Sequence, residues 1–147
     1  MSVESIRSGI TDVAGIRVIC SFVEDIYALS DMLLQQDDVR LLRRKDYIAK
    51  PKENGYRSLH LIVNVPIVIS EGTMVLPVEI QLRTIAMDMW ASLEHELRYK
   101  SNRAFSEADA NRLRLCSEAV YEVDREMQNI YKGRQAEYED SDPETPL

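Results

Sequence analysis

The stretch of sequence that decides the fold, residues 45–83, reads KDYIAKPKENGYRSLHLIVNVPIVISEGTMVLPVEIQLR. Two segments of it, residues 57–65 and 75–83, alternate apolar and polar side chains. Because successive side chains of a strand point to opposite faces, each segment predicts a β-strand with one apolar and one polar face. If the two strands lie side by side in one sheet, their polar side chains line a single surface, which is our candidate site. The residues expected there are Tyr56, His60, Glu79 and Gln81.

The connection between the two strands is predicted at residues 70–73, where Gly72 favours a turn. Pro77 lies within the second strand. Because proline cannot donate a hydrogen bond to a sheet, Pro77 predicts that this strand lies at an edge or starts at that point.

A positively charged loop leads into the first of these strands. Residues 45–56 carry three lysines, and the Asn-Gly pair at 54–55 is a strong turn signal. Lysine supplies a point charge for phosphate, and an aromatic ring stacked on a base contributes roughly 1–3 kcal/mol. The loop therefore indicates a site for a phosphorylated nucleotide, with Tyr56 against the base. The alternatives are a solvated lysine surface and a Tyr56 that packs in the core.

An apolar run precedes this region. Residues 12–22, DVAGIRVICSF, predict a central strand that is covered on both faces. Asp12 stands at its entrance and Arg17 inside it. Because an isolated buried charge is costly, we expect Arg17 either to pair with a carboxylate of the core or to reach a ligand. Residues 24–36 predict an amphipathic helix, and a short edge strand is predicted at 39–42.

Two more helices are predicted after the strands, over residues 85–100 and 106–132, and Gly133 is expected to end the second. The second helix has an apolar period of about 3.5 residues, typical of a packed helical seam, which we expect either to pack on its own domain or to mediate self-association. The seam residues are Leu113, Cys116, Val120, Val123, Met127 and Ile130. The acidic segment 133–147 is expected to be disordered.

Together these elements predict one α+β domain over residues 1–132, with a mixed sheet of about 4–5 strands, flanking helices and a long C-terminal helix. The chain has 147 residues and a net charge of -7, which argues against indiscriminate nucleic-acid binding. No stretch resembles a membrane span or a secretory signal, so we expect a cytoplasmic protein. The cationic stretch at residues 40–52 suits a phosphorylated small molecule better than a nucleic acid.

The chemistry open to these residues centres on two carboxylates. Asp12 and Glu79 could share Mg²⁺, which proteins normally hold through one or two carboxylates plus substrate phosphates. Glu79 could also accept a proton from an attacking hydroxyl. The sequence contains no GxxxxGK[ST] loop and no GxGxxG motif. The residues alone therefore indicate magnesium-dependent handling of a nucleotide on a mixed sheet.

Four motifs in order carry a resemblance to a known family. They are DVAGIRV, KDYIAKPKENGYRSLH, VEIQLRT and DMWASLEH. They resemble the synthetase domain of RelA/SpoT homologues and are most similar to the small, single-domain alarmone synthetases. The resemblance implies a nucleotidyltransferase-like fold and transfer of pyrophosphate from ATP to the ribose 3′-hydroxyl of GTP or GDP, giving (p)ppGpp in the stringent response.

The resemblance also implies roles for individual residues. Asp12 and Glu79 resemble the Mg²⁺ ligands and catalytic carboxylates, and Glu79 would activate the 3′-hydroxyl. Arg17 resembles an arginine that stacks on the ATP adenine, and Tyr56 resembles the residue that stacks on the acceptor guanine. The positions implied for GTP or GDP are Lys45, Lys52, Asn54, Tyr56, His60, Gln81 and Ala91.

Two alternatives accompany this interpretation. Family members carry a further basic segment before the Asp12 motif, and Arg7 is the one cation of residues 1–11. The alternative function is therefore a catalytically impaired oligomer that binds guanine nucleotides or alarmones. A single-stranded RNA-binding module is a third hypothesis, which the net charge disfavours. Small family members form oligomers, commonly tetramers, through terminal helices, which suggests that residues 106–132 form a homo-oligomer interface.

Overall fold

A four-stranded mixed sheet forms the centre of the computed structural model, which describes residues 14–99 and 105–141, the side chains of 139–141 excepted. The strands are β1 (Ala14–Cys20), β2 (Arg40–Asp46), β3 (Leu59–Ile69) and β4 (Gly72–Thr84). Their order is β1-β4-β3-β2; β1 is parallel to β4, and the other pairs are antiparallel. The helices are α1 (Val23–Leu34), α2 (Ile85–Tyr99) and α3 (Glu107–Ser141). The predicted α+β class is confirmed.

The hairpin of β3 and β4 supplies half of the buried apolar residues that the structure describes. The predicted alternation is present at residues 59–63 and 78–82, where alternate side chains are buried in one cluster with Val23 and Ile26 of α1. The buried residues of the hairpin are Leu59, Leu61, Val63, Val78, Ile80 and Leu82. Each such side chain contributes about 1.5–3 kcal/mol when it leaves water. Ile69 pairs with Gly72 across the predicted turn, and Gly72 has a φ of 128°. The burial of one face leaves the other face of the hairpin for polar residues.

The first apolar run forms an edge strand of the sheet that the structure describes, and not the central strand predicted from the sequence. Within the described residues β1 pairs with β4 alone, and Ile16 and Ile19 are 52% and 44% exposed. An apolar run reports hydrophobicity but not the number of neighbouring strands. The central strand next to it is instead β4, against the prediction from Pro77. The proline is tolerated because pairing with β1 begins at the next residue, Val78, so β1 requires no N–H from Pro77.

The long helix α3 differs from its prediction in two respects. It continues through Gly133 to Ser141, so the expected end and the expected disorder of residues 133–141 are wrong. A single glycine inside a helix costs only about 1 kcal/mol relative to alanine, and the surrounding helix-forming residues outweigh this. Residues 142–147 lie outside the described residues. Among the described residues, no helix combines the length and apolar composition needed to cross a bilayer.

The predicted seam of α3 is largely turned away from the domain. Val123, Met127 and Ile130 are each more than half exposed, whereas the buried positions of the helix include Ser117 and Asp124. The helix therefore packs on its own domain through the side that carries Ser117 and Asp124, together with the partly buried Val120 and Tyr121, and this packing does not account for the apolar row of Val123, Met127 and Ile130.

Candidate functional site

A single row of polar side chains crosses all four strands. His60 of β3 pairs on one side with Lys45 of β2 and on the other with Gln81 of β4. Gln81 in turn pairs with Arg17 of β1. All four were candidate residues from the sequence, and the register places them on one face of the sheet, opposite the core. Lys45 belongs to β2 rather than to the loop in which the sequence placed it.

Glu79 lies two residues before Gln81 on the same face of β4 and contacts two residues of this row directly. Its Oε1 is 3.1 Å from Nδ1 of His60 and accepts a hydrogen bond of 3.1 Å from Nε2 of Gln81. The pKa of His60 is lowered, first because burial disfavours the charged imidazolium, and this outweighs the opposite effect of the Glu79 carboxylate. A neutral His60 can donate from one ring nitrogen and accept at the other.

Tyr56 and Arg83 extend this arrangement into a chain of hydrogen bonds. Nη2 of Arg83 donates to the Tyr56 hydroxyl at 2.6 Å, and that hydroxyl lies 2.9 Å from Nε2 of His60. Because the hydroxyl accepts from Arg83, its own proton is available for Nε2, which leaves Nδ1–H directed at Glu79. The chain therefore assigns the tautomer of His60 and leads from a guanidinium to a carboxylate.

Sequence reasoning missed Arg83 and its partner Asp88. Arg83 is only 6% exposed, and its Nη1 donates to Oδ1 of Asp88 at 3.0 Å. The same oxygen is 3.5 Å from Nη1 of Arg17, but the side chain of Arg17 is 53% exposed, so the predicted buried arginine with a core carboxylate as its partner is not found. The alternation in β4 put Arg83 on the polar face. It gave no sign that Arg83 would be buried against Tyr56, 27 positions earlier in the chain.

The loop before β3 holds the predicted turn and presents Tyr56. The N–H of Gly55, whose φ is 95°, donates to the carbonyl of Lys52 at 2.8 Å. Oδ1 of Asn54 accepts a hydrogen bond of 3.1 Å from the N–H of Tyr56. The Lys52 ammonium lies 4.9 Å from the centre of the Tyr56 ring. The loop thus groups a cation with an aromatic ring, the combination from which a nucleotide site was predicted.

A cavity of about 500 Å³ opens beside this network. Its walls include Arg17, Tyr56, Arg83 and Ala91, together with further residues of α2 such as His95. Ligand pockets usually measure about 300–1,000 Å³. The residues that the resemblance assigned to the adenine and to the guanine, Arg17 and Tyr56, therefore border one cavity of a suitable size.

The expected metal site rests on one described residue. Asp12 lies outside the described residues. Across residues 14–99 and 105–141, no group of three or more His, Cys, Asp or Glu side chains is arranged to hold a metal ion. Glu79 supplies a hard carboxylate oxygen on the polar face, which fits Mg²⁺ because this ion takes few protein ligands and completes its shell with phosphates and water.

With this geometry established, comparison with known proteins identifies the family. Residues 2–104 match a family model described as "Region found in RelA / SpoT proteins". The chain belongs to the RelA/SpoT family. Its four motifs lie within the matched residues, in agreement with the resemblance found in the sequence.

Individual relatives of this RelA/SpoT protein are small alarmone synthetases. The chain is 42% identical over 132 residues to GTP pyrophosphokinase YwaC of Bacillus subtilis, covering 90% of the chain and 63% of that protein. It is 44% identical over 119 residues to GTP pyrophosphokinase YjbM of the same organism, covering 81% and 56%. The chain therefore spans less than two thirds of either relative.

Solved structures confirm the fold. The crystal structure of small alarmone synthetase 2 from Bacillus subtilis superposes with a TM-score of 0.80 at 44% identity, covering 90% of this chain and 77% of that one. Small alarmone synthetase 1 of Bacillus subtilis, bound to its product pppGpp, superposes with a TM-score of 0.76 at 43% identity, covering 83% and 63%. The RelA/SpoT protein thus shares both sequence and architecture with nucleotide-synthesising relatives.

Proposed function

We propose that this RelA/SpoT protein transfers pyrophosphate from ATP to the 3′-hydroxyl of GTP or GDP, giving (p)ppGpp and AMP. The observation that carries the proposal is the chain of contacts from Tyr56 through His60 to Glu79 beside the cavity. It brings an aromatic ring for a base and a carboxylate for a proton within one surface. The names of its relatives, GTP pyrophosphokinases, support the same reaction.

In the proposed reaction the guanine stacks on Tyr56, and the acceptor phosphates lie near the ammonium groups of Lys45 and Lys52. The 3′-oxygen attacks the middle phosphorus of ATP, and the bond from that phosphorus to the oxygen of the innermost phosphate breaks, so that AMP leaves. Glu79 accepts the proton of the 3′-hydroxyl. His60, held neutral by burial, donates to Glu79 and orients the carboxylate toward that proton.

The donor nucleotide is assigned to the side of the cavity formed by β1. Arg17 is about half exposed and stands at the end of the cross-strand row, where it can leave Asp88 to stack on adenine. Mg²⁺, held by Asp12 and Glu79, would offset the negative charge of the reacting phosphates. Positioning and neutralisation of charge are the main demands of phosphoryl-type transfer.

The test is incubation of the purified protein with ATP, GTP and Mg²⁺, with the products resolved by ion exchange. We expect a new peak with the retention of pppGpp. Glu79→Gln should abolish this peak and leave the GTP dissociation constant nearly unchanged, because the amide keeps the shape of the side chain without accepting a proton. Substantial synthesis by the variant would remove Glu79 from its role.

The same assay separates the alternative function. If the unmodified protein forms no product but binds GTP in a calorimeter, it acts as a guanine-nucleotide-binding protein rather than as a synthetase. The absence of both product and GTP binding would refute both functions.

We also infer that the protein self-associates, in the manner of a tetramer, through α3. The outward apolar row of Val123, Met127 and Ile130 supports this, because a monomer leaves these side chains in water. Sedimentation that shows only monomer at micromolar concentration would refute it. A place in the cytoplasm, where both nucleotide substrates occur, fits this function.

A further inference from the structure

The loop that carries Tyr56 is fastened to α3 on both sides of that residue. On one side, the hydroxyl of Ser117 donates a hydrogen bond to the carbonyl of Gly55. On the other side, the guanidinium carbon of Arg57 lies 4.0 Å from the centre of the Tyr121 ring. Tyr56 thus stands between two residues that are each held by the same helix, four positions apart along α3.

The contact at Gly55 is unusually close. A Cβ atom at this position would lie 2.8 Å from Cβ of Ser117 and 3.3 Å from Cα of Arg114. Gly55 also has a positive φ, which glycine adopts without strain. Ser117 is 4% exposed. The backbone of the loop therefore lies directly against α3, and a displacement of the helix would displace the loop as well.

The second contact is also a defined one. Arg57 is fixed at its far end because its Nη1 donates to the carbonyl of Ile48 at 2.8 Å. The guanidinium carbon lies over the face of the Tyr121 ring, where the positive charge is attracted by the π-electrons of the ring. Arg57 consequently spans from the start of the loop to α3 and limits the movement of its neighbour, Tyr56.

The same helix holds the beginning of α2. Oδ2 of Asp124 accepts a hydrogen bond from the hydroxyl of Thr84, and Oγ1 of Thr84 accepts one from the N–H of Met87, which caps α2. α2 contributes Ala91 to the cavity. Directional bonds of this kind fix one helix register, whereas an apolar seam tolerates sliding. The polar side of α3 therefore sets the two walls of the cavity relative to each other.

We propose that Ser117 and Tyr121 are positioning residues of the acceptor-nucleotide site, acting through Gly55 and Arg57 on the orientation of Tyr56. Neither residue contacts the cavity that borders Tyr56. This inference rests on the proposed function, in which Tyr56 stacks on the guanine. Its effect should consequently fall on GTP and not on ATP.

The experiment compares Ser117→Ala and Tyr121→Leu with the unmodified protein, using Tyr121→Phe and Glu122→Gln as controls. The Phe variant keeps the ring against Arg57, and Glu122 is an exposed neighbour on the same helix. We expect Ser117→Ala to raise both the dissociation constant and the KM of GTP by about tenfold, the scale of a buried acceptor left unpaired. Tyr121→Leu should raise both quantities as well, because Arg57 loses the ring that holds it. The KM of ATP should stay within about twofold, and both controls should resemble the unmodified protein.

A second measurement does not depend on nucleotide. Amide hydrogen exchange at Gly55 and Tyr56 should be faster in Ser117→Ala and in Tyr121→Leu, because the loop that carries these two N–H groups is then no longer held by α3 and opens more often. If exchange is faster but the unmodified protein binds no GTP, α3 does hold the loop of Tyr56 in place, whereas the proposed function fails and with it the role in GTP binding. If exchange in this loop is unchanged in both variants, the inference is refuted. Equal losses for ATP and GTP would also refute it, since they would indicate a general loss of stability.

Discussion

The hydrogen-bonded hydroxyl of Tyr56, which is partly buried, allows the contribution of the site to stability to be separated from its affinity for nucleotide. Tyr56→Phe removes the oxygen that accepts from Arg83 at 2.6 Å and contacts His60 at 2.9 Å, but it keeps the ring. A hydrogen bond to a charged group contributes about 1.5–3 kcal/mol. Arg83 keeps its bond to Asp88, so we expect the free energy of unfolding to fall by about 2 kcal/mol, within that range.

The effect on nucleotide binding should be different. Because the ring remains, the GTP dissociation constant of Tyr56→Phe should stay within about threefold of the original value, whereas Tyr56→Leu should lose roughly 1–3 kcal/mol of stacking. That loss corresponds to an increase of about 5–150-fold in the dissociation constant. Urea unfolding measures the first quantity and calorimetry the second.

The matched control is Tyr131→Phe on α3. The Tyr131 hydroxyl accepts a hydrogen bond from Gln135 at 2.9 Å, but on an exposed surface, so its loss should change stability by less than about 0.5 kcal/mol. An unfolding free energy of Tyr56→Phe equal to that of this control would show that the hydrogen bonds of the Tyr56 hydroxyl do not contribute to stability. Equal losses of GTP affinity in the Phe and Leu variants of Tyr56 would refute stacking as the source of affinity.

Two further predictions concern the contacts of α3. Burial raises the pKa of the Asp124 carboxyl. The contribution of Asp124 to stability therefore decreases as the pH rises from the pKa of the unfolded chain, about 3.8, through the raised pKa of the folded protein. In urea unfolding, Asp124→Asn should consequently be more stable than the original protein at pH 7, and the difference should be smaller at pH 4.5. A gain that is independent of pH would contradict this. Gly55→Ala should destabilise the protein by about 1–3 kcal/mol, because Gly55 has a positive φ and the added Cβ would contact Ser117. Gly133→Ala should instead stabilise the helix by about 0.5–1 kcal/mol, because a Cβ added there has no atom within 4 Å. Similar melting temperatures for the two alanine variants would show that the close approach at Gly55 is not limiting.

The polar face of the hairpin could be predicted because its signal is local. Alternation within β3 and β4 assigns His60, Glu79 and Gln81 to one face without knowledge of any distant contact. The Asn-Gly turn likewise identifies the loop before Tyr56 from adjacent residues. Strand periodicity and turn preferences are properties of short segments, and the folded chain shows both the predicted polar face and the predicted turn.

The remaining features depend on long-range packing, which the local patterns of a single sequence do not predict. The apolar run of β1 is equally compatible with a central or an edge position. The contact of Ser117 with Gly55 joins residues 62 positions apart, and the partners of Arg83 depend on how α2 meets the sheet. The apolar spacing in α3 was present as predicted, but it did not reveal which side of the helix faces the domain.

The parallel pairing of β1 with β4 affects the timing of synthesis on the ribosome. Ala14 pairs with Val78, 64 positions later in the chain. At about 5–20 residues per second, β1 waits roughly 3–13 s before its partner has been made. Throughout that interval an apolar strand, with unpaired backbone groups, is open to association with other nascent chains. The cross-strand row from Lys45 to Arg17 is therefore completed only after β4 has emerged, so the nucleotide site proposed on this row cannot form in the early intermediates.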